Sequence, residues 1–173
     1  MTEFEIKRPP KLNHLAPDVL AGISDDLLES ALIDYVGERL SEGDDELEAV
    51  AALPSALQHW YIAFLVDAEV LNGGFNQLFF NPTGALAAEA PAAFAKIGIP
   101  AAGHLVEQAI RLLEQHAPAL EAAAEAGTIE AFIESYIDQP FGQLDRQYAA
   151  AEDEWRSARL RYLRSQAEFI RHP

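Results

Sequence analysis

Asp34, Glu38 and Glu42 stand at i, i+4 and i+8, and Glu130, Glu134 and Asp138 repeat that spacing. On a helix each trio shares one face. Grouped carboxylates serve either as an acid–base pair in catalysis or as an anionic surface for a basic partner. Around the first trio lie ten acids: Asp25, Asp26, Glu29, Asp34, Glu38, Glu42, Asp44, Asp45, Glu46 and Glu48, opposed within that stretch only by Arg39. Like charges at i, i+4 destabilise a helix by roughly 0.2–0.5 kcal/mol per pair. A sequence selected for helix stability alone would alternate them with lysine or arginine. Four helical residues rise about 6 Å, so each trio forms a row spaced like successive phosphates of one strand. Duplex DNA is denser, with a charge about every 1.7 Å of axis, and imitation of it needs several helices. Charge alone leaves two readings open, phosphate imitation and a solvated acidic surface that maintains solubility.

Other chemistry finds little support. His14, His59, His104, His116 and His172 form no HExxH, no His-x3-His and no Glu-x-x-His pair. His104 and Glu107 are one turn apart, a spacing more often seen in surface contacts. There is no Gly-x-Ser-x-Gly and no cysteine, which removes the commonest nucleophile arrangements and Cys-based metal sites. With 28 acids in the chain, no single carboxylate pair stands out as catalytic. The expectation is a protein without catalytic residues, metal or cofactor. Arg156, Arg159, Arg161 and Arg164 alternate with Trp155, Leu160, Tyr162 and Leu163 near the C-terminus. They are expected to pair with acids of the fold rather than with nucleic acid.

The charge is unevenly placed. The whole chain carries a formal net charge of −16, but residues 12–138 hold 21 acids against Arg39, Lys96 and Arg111, a net of −18. Such a field repels nucleic acid and anionic membranes and attracts basic surfaces. At 173 residues, half of them apolar, the chain can build a substantial core. The N-terminus lacks the apolar stretch of a signal peptide, and "WYIAFLV" is far too short for a membrane span. A soluble, cytoplasmic protein is expected.

The elements that must position these residues are helical. Residues 1–22, with three of the ten prolines, read as an extended arm, and residues 23–173 as an all-α, compact, single-domain bundle. Ser24 is a candidate N-cap for a helix carrying Leu27, Leu28, Ala31, Leu32, Tyr35, Val36 and Leu40 at 3–4 residue spacing. A short helix is expected from Asp44 or Asp45 to Ala52. Pro54 suits the first turn of "SALQHWYIAFLVDAEVLN", apolar around most of its circumference and the candidate for the central buried element. Further helices are expected at about 85–97, 101–116, 119–126, 128–138, 141–150 and 152–170. Gly98, Gly127, Pro100, Pro118 and Pro140 punctuate them, and Pro91 implies a break or late start near Ala90.

Between the buried helix and the next lies "EVLNGGFNQLFFNPTG". It has no GxGxxG, no Lys-Ser/Thr after its glycines and no preceding strand, so a phosphate cradle is disfavoured. Gly73 reads as a left-handed residue that stops the helix, Phe75, Leu78 and Phe79 as a packed face. Asn72, Asn76, Gln77 and Asn81 read as caps for the exposed backbone. Together with "AFAKIGIPAAGHLVEQAI" and "LDRQYAAAEDEWRSARLRYLRS", this stretch resembles an all-helical bacterial domain whose best understood members are 19-kilodalton DNA-mimic proteins. The resemblance runs from about residue 50 to 170, and Asn-Gly-Gly-Phe-x-Gln is its most specific part. Pro91 departs from the smooth helix usual there.

The resemblance implies a homodimer that occupies the DNA-binding face of a transcription factor, a helix-turn-helix repressor, and blocks its operator binding. The phosphate-imitating acids would then be the ten between Asp25 and Glu48 together with Glu130, Glu134 and Asp138. An immunity or antitoxin-like protein that neutralises a basic toxin through the same acids is the alternative.

Overall fold

The computed structural model describes residues 8–40, 50–126, 128, 130 and 140–171. Seven α-helices are found among them, with no extended strand: α1 (Pro17–Ala21), α2 (Asp25–Leu40), α3 (Ser55–Phe80), α4 (Ala90–Ile97), α5 (Pro100–Ala126), α6 (Gly142–Ala149) and α7 (Glu152–Gln166). The expected helix over 128–138 and the start of the one over 44–52 lie outside the described residues. The chain divides into two compact units, Met1–Tyr61 with Leu160–Pro173, and Ile62–Arg159.

In the first unit α2 behaves as its pattern requires. Leu28, Ala31, Leu32, Tyr35 and Val36 are buried, and Ser24 stands immediately before the first turn, its carbonyl accepting from Leu27 N–H at 3.0 Å. Leu57 and Trp60 of α3 are fully buried in the same unit. The N-terminal segment is not the extended lead-in expected of it. From residue 8 it is packed, with Leu12, Leu15 and Leu20 buried and α1 starting at Pro17, whose fixed φ and missing N–H suit a first turn. Three apolar side chains outweigh the extended tendency of its prolines. Arg164 ties the start of α2 in place. Its guanidinium donates to Leu20 O at 2.5 Å, to Ile23 O at 2.6 Å and to Asp25 Oδ1 at 2.6 Å.

The second unit is built around aromatic rings. Phe75, Phe94, Phe141 and Tyr148 are fully buried; the Phe75 and Tyr148 centroids lie 5.7 Å apart at 88°, an edge-to-face contact. Trp155 donates its indole N–H to Tyr148 O at 3.0 Å. Pro91 falls in the first turn of α4, which begins at Ala90 as the proline requires, and Gly98 closes that helix in the left-handed conformation at φ 93°. The break expected at Pro118 is absent, since α5 runs unbroken from Pro100 to Ala126. One proline removes one N–H, and the alanine- and glutamate-rich residues that follow propagate a helix strongly.

Burial holds the Tyr148 phenol well above its usual value of 10.0, and the Asp67 carboxylate raises it further. The fold therefore favours the neutral phenol. Its contribution is intact below about pH 10, the unfolded value, and is lost as pH rises above that. Thermal melts from pH 8 to 11 should show the parent losing stability at the alkaline end and Tyr148→Phe losing distinctly less. Equal losses in the two proteins would rule out this account of Tyr148.

Candidate functional site

The long helix α3 does not stop at Asn72. It bends at Gly73 (φ −149°, ψ 21°) and Gly74 (φ 75°, ψ −177°) and resumes to Phe80. The residue with positive φ is Gly74, not Gly73 as expected. The reason lies 70 residues away in sequence. The break exposes the Phe75 N–H, and Asp145 Oδ1 on α6 accepts it at 2.9 Å. A β-carbon at Gly74 would stand 2.8 Å from that carboxylate. Burial raises the Asp145 pKa above its ordinary value, partly offset by the bond from Phe75.

Asn72, Gln77 and Asn81 donate to side chains rather than capping backbone as their types suggested. They converge instead on the carboxylate of Glu69. Gln77 Nε2 donates to it at 2.7 Å, Asn81 Nδ2 at 2.9 Å and Thr83 Oγ1 at 3.2 Å, while Asn72 Nδ2 donates to Gln77 Oε1 at 3.1 Å. This network braces the two arms of the bend. Phe75 and Leu78 are buried as expected, and Asn76 is buried with them. The stretch is a structural joint.

Residues 51–166 match the family described as DMP19-like protein. The chain belongs to that family. It is the DNA-mimic protein family expected from the resemblance. No curated protein and no solved structure matched the chain. In this DMP19-like chain the match covers α3 to α7, and the acid-rich α2 precedes it.

Several of the proposed phosphate-imitating acids are described, and they separate into two kinds. Asp25, Asp26, Asp34 and Glu38 of α2 and Glu130 are exposed. Glu29 is not: at 9% exposure it accepts the Trp60 indole N–H at 3.0 Å. The fully buried indole requires an acceptor, and a carboxylate one turn before Leu32 supplies it. Glu29 therefore leaves the acidic surface and joins the core. Glu42, Asp44, Asp45, Glu46, Glu48, Glu134 and Asp138 lie outside the described residues.

The exposed positions of α2 are Asp25, Asp26, Ser30, Asp34, Gly37 and Glu38. Besides the acids, its exposed positions hold only serine and glycine. Two of these acids already hold cations of the same unit, Asp25 with Arg164 at 2.6 Å and Glu38 with Lys11 at 2.9 Å. The expectation that C-terminal arginines pair with acids holds for Arg164 and for Arg159, which meets Asp67 at 2.6 Å. Glu152, Asp153 and Glu154, exposed in the first turn of α7, were passed over in the sequence. They place negative charge at the positive end of a helix dipole, and their three-residue run was the available signal.

Among the described residues no group of three His, Cys, Asp or Glu side chains is arranged to hold a metal ion. None of the described helices is long and apolar enough to cross a membrane. His59 Nδ1 lies 3.1 Å from Tyr162 Oη in a part-buried contact. His104 and Glu107 line an open groove of about 690 Å³ between α4 and α5, whose other walls are largely alanine and proline.

Proposed function

We propose that this chain is a cytoplasmic, homodimeric DNA mimic. Its surface carboxylates occupy the DNA-binding face of a basic transcription factor, a helix-turn-helix repressor, and so release its operator. The observation that carries this reading is the exposed face of α2, where Asp26, Asp34 and Glu38 are separated by Ser30 and Gly37. Membership of the DMP19-like family supports it. A row of carboxylates on one helix is sparser than duplex phosphates, so imitation of a duplex calls for further acids.

A basic partner exchanges counterions with either ligand, so salt should weaken the complex steeply, as it weakens DNA binding. The test is a gel shift with the repressor, its operator and the purified protein. The protein should displace operator from the repressor. The double variant Asp34→Lys/Glu38→Lys should need at least about tenfold more protein for the same displacement, about 1.4 kcal/mol of binding. Both residues are exposed, so its stability should stay within about 1 kcal/mol of the parent. A ternary complex holding repressor, operator and this protein together would exclude mimicry and point to the antitoxin-like role.

A further inference from the structure

Residues 9–15 lie against α2 within the first unit, and they are firmly held. Leu12 and Leu15 are buried. Arg39 Nη2 donates to Asn13 O at 2.9 Å and Nη1 to Tyr35 O at 3.3 Å, with the guanidinium 3.5 Å above the Tyr35 ring. Between these anchors Lys11 Nζ reaches Glu38 Oε1 at 2.9 Å. A crevice of about 240 Å³ separates Pro9, Lys11 and Leu12 from Asp34, Tyr35 and Glu38.

The Lys11 and Glu38 side chains are 72% and 52% exposed. Pairs this open add little to stability, and the leucines and Arg39 already fix the segment. Lys11 is therefore dispensable for the fold, yet its ammonium sits on an acid of the exposed α2 face. Because its backbone is anchored beside Glu38, it returns there after every excursion, at a high effective concentration. A cation arriving from outside meets an occupied carboxylate.

We propose that Lys11 is a built-in competitor for the acidic face of α2, an autoinhibitory contact that a basic partner must displace. This rests on the reading of α2 as the partner-binding face. Removing the competitor should strengthen binding by the worth of one exposed pair, about two- to fivefold.

The probe is an arginine tetrapeptide titrated into full-length, isotopically labelled protein at fixed salt, with Kd read from the amide resonances of Asp34 and Gly37. Lys11→Gln should lower that Kd about two- to fivefold. Lys96→Gln, an exposed lysine at the end of α4, changes the net charge identically and should leave it nearly unchanged. In a Glu38→Gln background the effect of Lys11→Gln should vanish. Equal tightening by the two lysine variants, an effect that persists without Glu38, or no response of the α2 amides would each overturn the inference. The gel shift decides mimicry separately, since a protein that fails to displace operator can still show the Lys11 effect here.

Discussion

Replacing Arg159 by methionine should destabilise the protein by about 3–5 kcal/mol, the range for breaking a buried ion pair by removing one partner. Arg159 Nη1 lies 2.6 Å from Asp67 Oδ2, and their side chains are 4% and 6% exposed. The guanidinium also lies 5.6 Å from the centre of the Phe64 ring. Without it the carboxylate of Asp67, a buried residue of α3, loses its counter-cation. Asp67→Leu should be similarly costly, because it strands the cation. The double variant Asp67→Leu/Arg159→Met should recover most of the loss, since two apolar groups of similar size need no partner. Urea unfolding of the four proteins forms a double-mutant cycle. A single-variant loss under about 1 kcal/mol, or simply additive losses in the double, would show that the pair is not the coupled contact its geometry describes.

The same pair marks the limit of what the sequence disclosed. Apolar spacing was enough to place α2 and to single out α3 as buried, because both follow from local periodicity. Pro91 and Gly98 bounded α4 because each acts on its own backbone. The acids were harder to read. Glu29, Asp67, Glu69 and Asp145 are chemically identical to the carboxylates around them, yet each is taken up by the fold. Their donors are Trp60, Arg159, the amides after the bend and the Phe75 N–H, up to 92 residues away. Nothing local distinguishes a carboxylate with such a donor from one facing solvent. A net charge therefore overstates the acidic surface by the acids that the core consumes. Lys11 and Arg164 reduce it further, and only the positive balance of the chain ends hinted at them. The bend at Gly74 was misplaced by one residue for a related reason. A glycine pair signals that positive φ is required, but which glycine adopts it is set by the Asp145 carboxylate on another helix.

That carboxylate makes Gly74→Val the second large effect, a loss of about 3–5 kcal/mol. At φ 75° and ψ −177° the backbone lies in a region essentially reserved for glycine, and a β-branched residue is strained there by about 1–3 kcal/mol. The new β-carbon would also stand 2.8 Å from the Asp145 carboxylate. Either Asp145 withdraws, leaving the Phe75 N–H unpaired at a cost of about 1–3 kcal/mol, or α6 shifts and disturbs the packing of Phe75 on Tyr148. Gly73→Ala is the informative neighbour. Its φ of −149° is open to any residue, and the atoms nearest its β-carbon would belong to the Gln77 side chain, including Cβ at 2.9 Å. Gln77 must then give up part of its hold on Glu69, a cost of about 1 kcal/mol. Thermal and urea unfolding should rank the proteins parent, Gly73→Ala, Gly74→Val. In a Gly74→Val/Asp145→Ala protein the collision is gone and the backbone strain remains, so the loss should fall below the sum of the Gly74→Val and Asp145→Ala losses. If Gly74→Val melts like the parent but no longer displaces operator, the bend is not a joint of the fold. Asn72–Asn81 would then have to be treated as part of the surface that meets the partner.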